Sequence, residues 1–250
     1  MTAANVIAAL SAPVAALVNQ RVPKKLLLEN GAPTADDKRL INDGIEELQW
    51  LAALKPDTIG VPVYRDEVRE YLEIAVLSVS LRATAKAARL IELIHRAIPY
   101  PVFLIASRPD ELALSLAHLR WSQGQAGQTV LDGSIIAVTL EATASPTNDL
   151  LAALNLAELP RQHLRAFYQG WIERFEAYAA ARVTRRFTPA TDATGAERRR
   201  VALAEHERLT AEIAALRALA TKETQLNRRV ALNLQLQQLN ARLAEAADKL

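Results

Sequence analysis

Nine arginines fall between Arg161 and Arg200: Arg161, Arg165, Arg174, Arg182, Arg185, Arg186, Arg198, Arg199 and Arg200, against three glutamates. The guanidinium is a planar fork of donors that suits phosphate and carboxylate better than lysine does. The stretch is therefore a candidate for gripping a nucleic-acid backbone, with Arg182, Arg185, Arg186, Arg198, Arg199 and Arg200 as the expected contacts. Three consecutive arginines at a helix start also oppose the positive end of its dipole, a local cost that an anionic partner relieves. The competing reading is a solvated helix face.

Catalytic arrangements do not assemble as readily. A metal-dependent nuclease needs an acid at one strand end and Glu-x-Lys on the next, so that carboxylates hold the metal and the lysine helps activate water. Glu73 precedes the apolar run Ile74–Leu81, but no second acid or lysine follows in the alternation. Glu73 reads as an exposed or capped strand-end acid, and a nuclease assembled only in the fold, with Glu73 and Asp132 as the acids to test, is the alternative. His95, His118, His163 and His206 show no metal-ligand spacing. His118 is followed by Arg120-Trp121, where a guanidinium beside an indole suits base stacking or phosphate; otherwise Trp121 plugs the end of a sheet. Eight glycines, spread singly, build neither a Walker loop nor a dinucleotide fingerprint. Ser78, Ser80, Ser107 and Ser115 lack a nucleophile-elbow context. The chain has no cysteine, which excludes disulfides, thiolate zinc sites, iron–sulfur clusters and a cysteine nucleophile. No catalytic residue, metal or cofactor is expected, and a non-enzymatic role is favoured.

The elements that must carry these residues follow from composition and periodicity. Half of the 250 residues are hydrophobic and only 5% aromatic, so a largely aliphatic, helix-rich core is expected. The fold class expected is α+β: a mainly antiparallel sheet flanked by helices, followed by a long C-terminal coiled-coil-like helical arm. Residues 1–148 form the α+β domain with its N-terminal helices, 149–187 a helical segment, 188–195 a linker and 196–250 the arm. Residues 1–20 read as a helix interrupted at Pro13. Thr34, three residues before Asp37, is placed to cap a helix running to Leu54 through Leu40, Ile41, Ile45, Leu48 and Leu51. Residues 71–82, with a bulge or two-sided burial, and Val102–Ser107 read as strands separated by a helix over 84–97, and Glu111–Leu119 as a strand with one wet face. Asp132-Gly133 between apolar runs predicts a hairpin over 129–140. Residues 143–148 read as a linker. Leu164, Phe167, Tyr168, Trp171, Phe175 and Tyr178 make an aromatic stripe, more often core than ligand site.

The arm is the strongest pattern. Residues 196–250 hold no glycine or proline. Leu209, Ile213 and Leu216 step by four and three, and Leu232, Leu236, Leu239 and Leu243 by four, three and four. The two runs stand sixteen residues apart, not a heptad multiple. Either the seam migrates around one helix of ~80 Å, or the chain bends into two antiparallel helices; the lack of glycine and proline favours one helix. A seam of this kind needs a second surface. These seven apolar residues, with Arg228 and Arg229, are therefore the expected partner-binding set, for another protein or a second copy.

Several stretches resemble a known family: "VNQRVPKK", "GIEELQWLAALKPDTIGV", "EIAVLSVSL", "IELIHRAIPYPVFLIA" and "KETQLNRRVALNLQLQQLNARL". Together they are similar to the uncharacterised bacterial family named domain of unknown function 4391, over about residues 19–243. Its most specific pieces here are Ile98-Pro99-Tyr100 and Asn227-Arg228-Arg229-Val230. The resemblance implies a place beside DNA methyltransferases and helicases in restriction or phage-defence islands, and it carries no catalytic residues. The expectation is an accessory or adaptor subunit docking to a helicase or methyltransferase, with DNA as a further candidate partner. No window of about 20 uncharged apolar residues occurs and the N-terminus lacks a basic leader, so a cytoplasmic protein without a membrane span is expected.

Overall fold

The computed structural model describes residues 2–124, 127–141, 145–190 and 192–250. In chain order the helices are α1 (Ala3–Leu10), α2 (Lys24–Asn30), α3 (Ala35–Gly44), α4 (Pro56–Ile59), α5 (Ala87–Ala97), α6 (Ser145–Ala153), α7 (Leu164–Thr184), α8 (Ala193–Lys222) and α9 (Leu226–Ala247). The strands are β1 (Leu17–Arg21), β2 (Ile45–Leu54), β3 (Tyr64–Arg65), β4 (Glu70–Tyr71), β5 (Ile74–Leu81), β6 (Val102–Arg108), β7 (Glu111–Leu116), β8 (Leu119–Trp121), β9 (Thr129–Leu131) and β10 (Ile136–Thr139). The chain divides into two compact units, Met1–Phe175 and Glu176–Leu250.

The first unit is built on a six-stranded sheet of order β1-β2-β5-β6-β7-β10. Every neighbouring pair is antiparallel except β5 and β6. Parallel strands cannot be joined by a tight turn, and α5 supplies the crossover. The sequence carries this switch. β5 is buried on both faces and almost wholly apolar, whereas α5 sets Leu90, Ile91, Leu93, Ile94 and Ala97 at helical steps. Those side chains close one sheet face over Leu77, Val79, Leu81, Leu104 and Ala106, with Leu27 of α2 and Ile41 of α3. Phe103 has the opposite strand parity, and its ring meets Trp171 at 4.7 Å and Phe175 at 5.8 Å between centroids. Phe167, Trp171 and Phe175 are fully buried, so this part of the aromatic stripe is core. Removing one such ring costs about 3–5 kcal/mol.

Five expectations need correction. The helix expected over 35–54 stops at Gly44, and Ile45–Leu54 is β2. Two register shifts against β5, between Ile45 and Glu47 and between Trp50 and Ala52, are bulges that break the strand's alternation. Up to Leu51 the buried positions then fall at Ile45, Leu48 and Leu51, a step of three that imitates a helix, before Leu51–Leu54 are buried throughout. Thr34 does cap α3, its hydroxyl accepting from the Asp37 N–H at 3.1 Å. At the N-terminus, α1 ends at Ser11, and residues 17–21 form the edge strand β1, irregular where Asn19 takes a φ of 50°.

The hairpin expected over 129–140 is not formed: β9 pairs with β8, and β10 pairs with β7 in the main sheet. Gly133 makes the turn with a φ of 89°, but the Asp132 carboxylate is committed to Arg69 at 2.6 Å. Of the linker expected over 143–148, residues 143 and 144 lie outside the described residues, and α6 begins at Ser145.

In the second unit the arm is a helical hairpin, not one helix. α8 ends at Lys222, Glu223 turns out of the helix and accepts the Gln225 N–H at 2.8 Å, and α9 starts at Leu226. Leu209 and Ile213 of α8 bury against Leu239 and Ala246 of α9, with Leu216, Leu236 and Leu243 packed around them. Two antiparallel helices bury the seam locally, which one helix cannot do without a partner. The stretch 188–195 lies within this unit, where Asp192 caps α8 by accepting the Gly195 N–H at 2.7 Å. Among the described residues no helix is long and apolar enough to cross a membrane.

Candidate functional site

The nine arginines do not form one cationic stripe. Arg161, Arg165 and Arg174 belong to the first unit and serve its fold. Arg161 donates to the Ile59 carbonyl, and Arg174 to the carbonyls of Gly170 at 2.9 Å and Glu158 at 2.6 Å. Burial lowers the Arg174 guanidinium below its ordinary range. The six arginines expected to contact nucleic acid all fall in the second unit. Arg182, Arg185 and Arg186 are exposed at the end of α7, and Arg198 is exposed in α8. Arg200 is already paired, with Glu176 at 2.8 Å and Glu197 at 2.6 Å. Arg199 is half-buried, and its Nε and Nη1 find no acceptor among the described residues. α8 begins at Ala193 with Asp192 as its cap, so Arg198, Arg199 and Arg200 stand beyond its first turn, where the dipole effect has fallen off, and the expected cost no longer points to an outside anion.

The first unit gathers a cluster that spacing did not reveal. The Tyr71 hydroxyl meets His118 Nδ1, and His118 Nε2 pairs with Gln169 Oε1 at 2.9 Å. Burial keeps the imidazole below its ordinary titration range and the Tyr71 phenol above its own. With the amide oxygen accepting from Nε2, Nδ1 is the acceptor for the tyrosine, so both ring nitrogens are engaged and neither is free as a general base. Tyr168, fully buried alongside, accepts from the Ala117 N–H at 2.8 Å and donates to the Val102 carbonyl at 2.7 Å. At the margin, His163 caps α7 by accepting the Ala166 N–H at 3.0 Å and lies 4.5 Å from the Tyr64 ring. Arg165 stands 5.3 Å over the same ring, its Nε without an acceptor among the described residues. The residues come from positions 47 to 51 apart in the chain, which no local motif betrays.

The acids singled out for a nuclease are both in ion pairs. Glu73 meets Lys55 at 3.1 Å, and Asp132 meets Arg69 at 2.6 Å with Arg120 at 3.9 Å. Arg120 turns toward Asp132 and the Trp121 carbonyl. Among the described residues no three His, Asp or Glu side chains converge in a metal-holding group. A groove of about 690 Å³ crosses the sheet face over Ala106, Ala113 and Ala137, but its Arg89 and Arg108 are held by Asp37 and Glu111.

The hairpin holds the expected partner-binding residues. Leu209, Ile213, Leu216, Leu236, Leu239 and Leu243 form its internal seam, so the second surface they need is the other helix. Leu232 is half-buried, while Arg228 and Arg229 are exposed. Arg208 and Arg242 both reach Glu205, at 2.8 and 3.0 Å, and hold its carboxyl down to about 2. The tip retains exposed apolar surface: Leu219 is 58% and Leu226 65% exposed, beside Lys222, Arg228 and Arg229 with Glu223 as the local acid.

The sequence model of the family described as Domain of unknown function (DUF4391) matches residues 10–243, and the chain belongs to that family. No curated protein and no solved structure matches it.

Proposed function

Within this family, we propose that the chain is a non-enzymatic accessory subunit of a bacterial anti-phage or restriction-type defence complex. It acts as an adaptor that docks on a helicase or DNA methyltransferase through its C-terminal hairpin, an antiparallel pair of helices used in the manner of a coiled coil. The observation that carries this reading is the hairpin tip. The seam is closed by the chain itself, yet Leu219 and Leu226 stay exposed beside Lys222, Arg228 and Arg229. Exposed apolar side chains beside arginine, a residue enriched at interfaces, favour the tip as a contact surface. The class of partner comes from the genomic neighbourhood that the family resemblance implies.

The test is co-purification of the chain with the helicase or methyltransferase encoded beside it. Wild type should retain the partner, and Arg228→Glu/Arg229→Glu should lose it at least tenfold while keeping its helical circular dichroism. Absence of both enzymes from the wild-type complex overturns the reading. DNA contact is a second reading, favoured by the exposure of Arg185, Arg186 and Arg198, which pair with no carboxylate among the described residues.

A further inference from the structure

α9 has two apolar faces, and α8 covers one of them. Leu236, Leu239 and Leu243 pack in the internal seam. Leu226, Val230 and Leu234, each four residues from the next, are 65%, 50% and 56% exposed. At 3.6 residues per turn they share one side of the helix, turned away from the seam. The twelve residues Val230–Ala241 contain no Asp, Glu, Lys or Arg, although nine of them are exposed. An ordinary solvated surface carries about 25–35% charged residues. Depletion of charge around apolar anchors is instead the composition of an interface core. The stripe is bordered by amides, Asn227, Asn233, Gln237 and Gln238.

Electrostatics selects the occupant. A phosphate backbone or an anionic bilayer needs cations on the contacting face, and Arg228 and Arg229 lie out of phase with the stripe. A charged protein surface would lose its water there without gaining a counter-charge. An uncharged face, by contrast, meets an identical face without placing like charges together, and amides both donate and accept. A two-fold contact sets each such face against itself.

We propose that a second copy of this chain covers the outer face of α9. The two α9 helices run antiparallel about a two-fold axis near Leu234 and Gln237, and the two hairpins form a four-helix bundle. The inference goes beyond the adaptor reading: Leu226 falls to the second copy, and Leu219, Lys222, Arg228 and Arg229 of the tip stay open for a different protein.

The test is made on the full chain alone. Its mass in solution should be twice 27.4 kDa, and Val230→Glu/Leu234→Glu should return it to one chain with unchanged helical circular dichroism. Because the chain has no cysteine, Leu234→Cys provides a second readout that does not burden folding. Mild oxidation should cross-link Leu234→Cys to itself, and leave Glu207→Cys, exposed on α8, uncross-linked. A wild-type mass of a single chain up to the solubility limit, or equal cross-linking of both cysteine variants, overturns the proposal. If the chain is a monomer and Val230→Glu/Leu234→Glu instead loses the co-purifying enzyme, the face belongs to that enzyme. The dimer then falls and the adaptor reading stands.

Discussion

His95 sits within the α5 face of the sheet, 2% exposed, with Nε2 2.9 Å from the Ser115 hydroxyl. Burial pushes its imidazole down to about 4. The unfolded chain binds this proton near pH 6.5 and the folded chain does not, so stability is full above 6.5 and falls as pH drops toward 4. The loss at the lower end is about 3 kcal/mol, and buried His118, shifted the same way, adds to it. Urea unfolding at a series of pH values should show this slope for wild type and a shallower one for His95→Gln, which keeps a hydrogen-bonding group; identical slopes would refute it. Arg185 is a second telling residue. It ends α7 with a φ of 62°, its N–H donating to the Ala181 carbonyl at 2.8 Å, where glycine carries no Cβ penalty. Arg185→Gly should therefore stabilise the chain by about 1 kcal/mol, a rise in Tm of roughly 2–4 °C. A fall in Tm would mean that the guanidinium contributes more than the backbone costs.

At the scale of elements, close approach sets what α2 and α5 tolerate. A Cβ on Gly31 would lie 2.6 Å from the Leu93 carbonyl and 2.7 Å from the Ala97 Cβ. Both neighbours are held in α5, so Gly31→Ala should cost about 1–3 kcal/mol by overpacking. Chemical denaturation should register it as a lower midpoint with an unchanged slope. β2 shows how an element misleads. Its apolar residues step by three because two bulges re-aim the strand, and the pairing in which those bulges are defined is with β5, which lies some 30 residues further along the chain. Pattern within a window cannot show a register that is set by pairing with a distant strand.

For the whole molecule, charge is divided unevenly. The second unit carries thirteen Lys and Arg against nine Asp and Glu, and the first seventeen against nineteen. On the DNA reading, affinity resides in the second unit and depends on salt. Arg185→Glu/Arg186→Glu/Arg198→Glu should weaken duplex binding and reduce the slope of log affinity against log salt by about three. Anisotropy titrations across a salt series measure both, and an unchanged slope would remove these arginines from the interface.

Composition and local period determined much of this protein. The absence of cysteine, the helical steps of α5, the apolar run of β5, the Thr34 cap and the paired leucine runs of the arm each express a constraint within a few residues of one another. The family resemblance was legible for the same reason, since it rests on contiguous stretches. Tertiary structure alone decided the rest. Whether two leucine runs share one helix or face each other depends on the turn at Glu223, which no glycine or proline marks. The Tyr71–His118–Gln169 contacts, the pairing of Arg200 with Glu176 and the separation of β9 from β10 are long-range choices among groups whose chemistry allows several partners. The sequence named the arginines and the leucines; only the fold distinguishes those spent on the chain itself from those left facing outward.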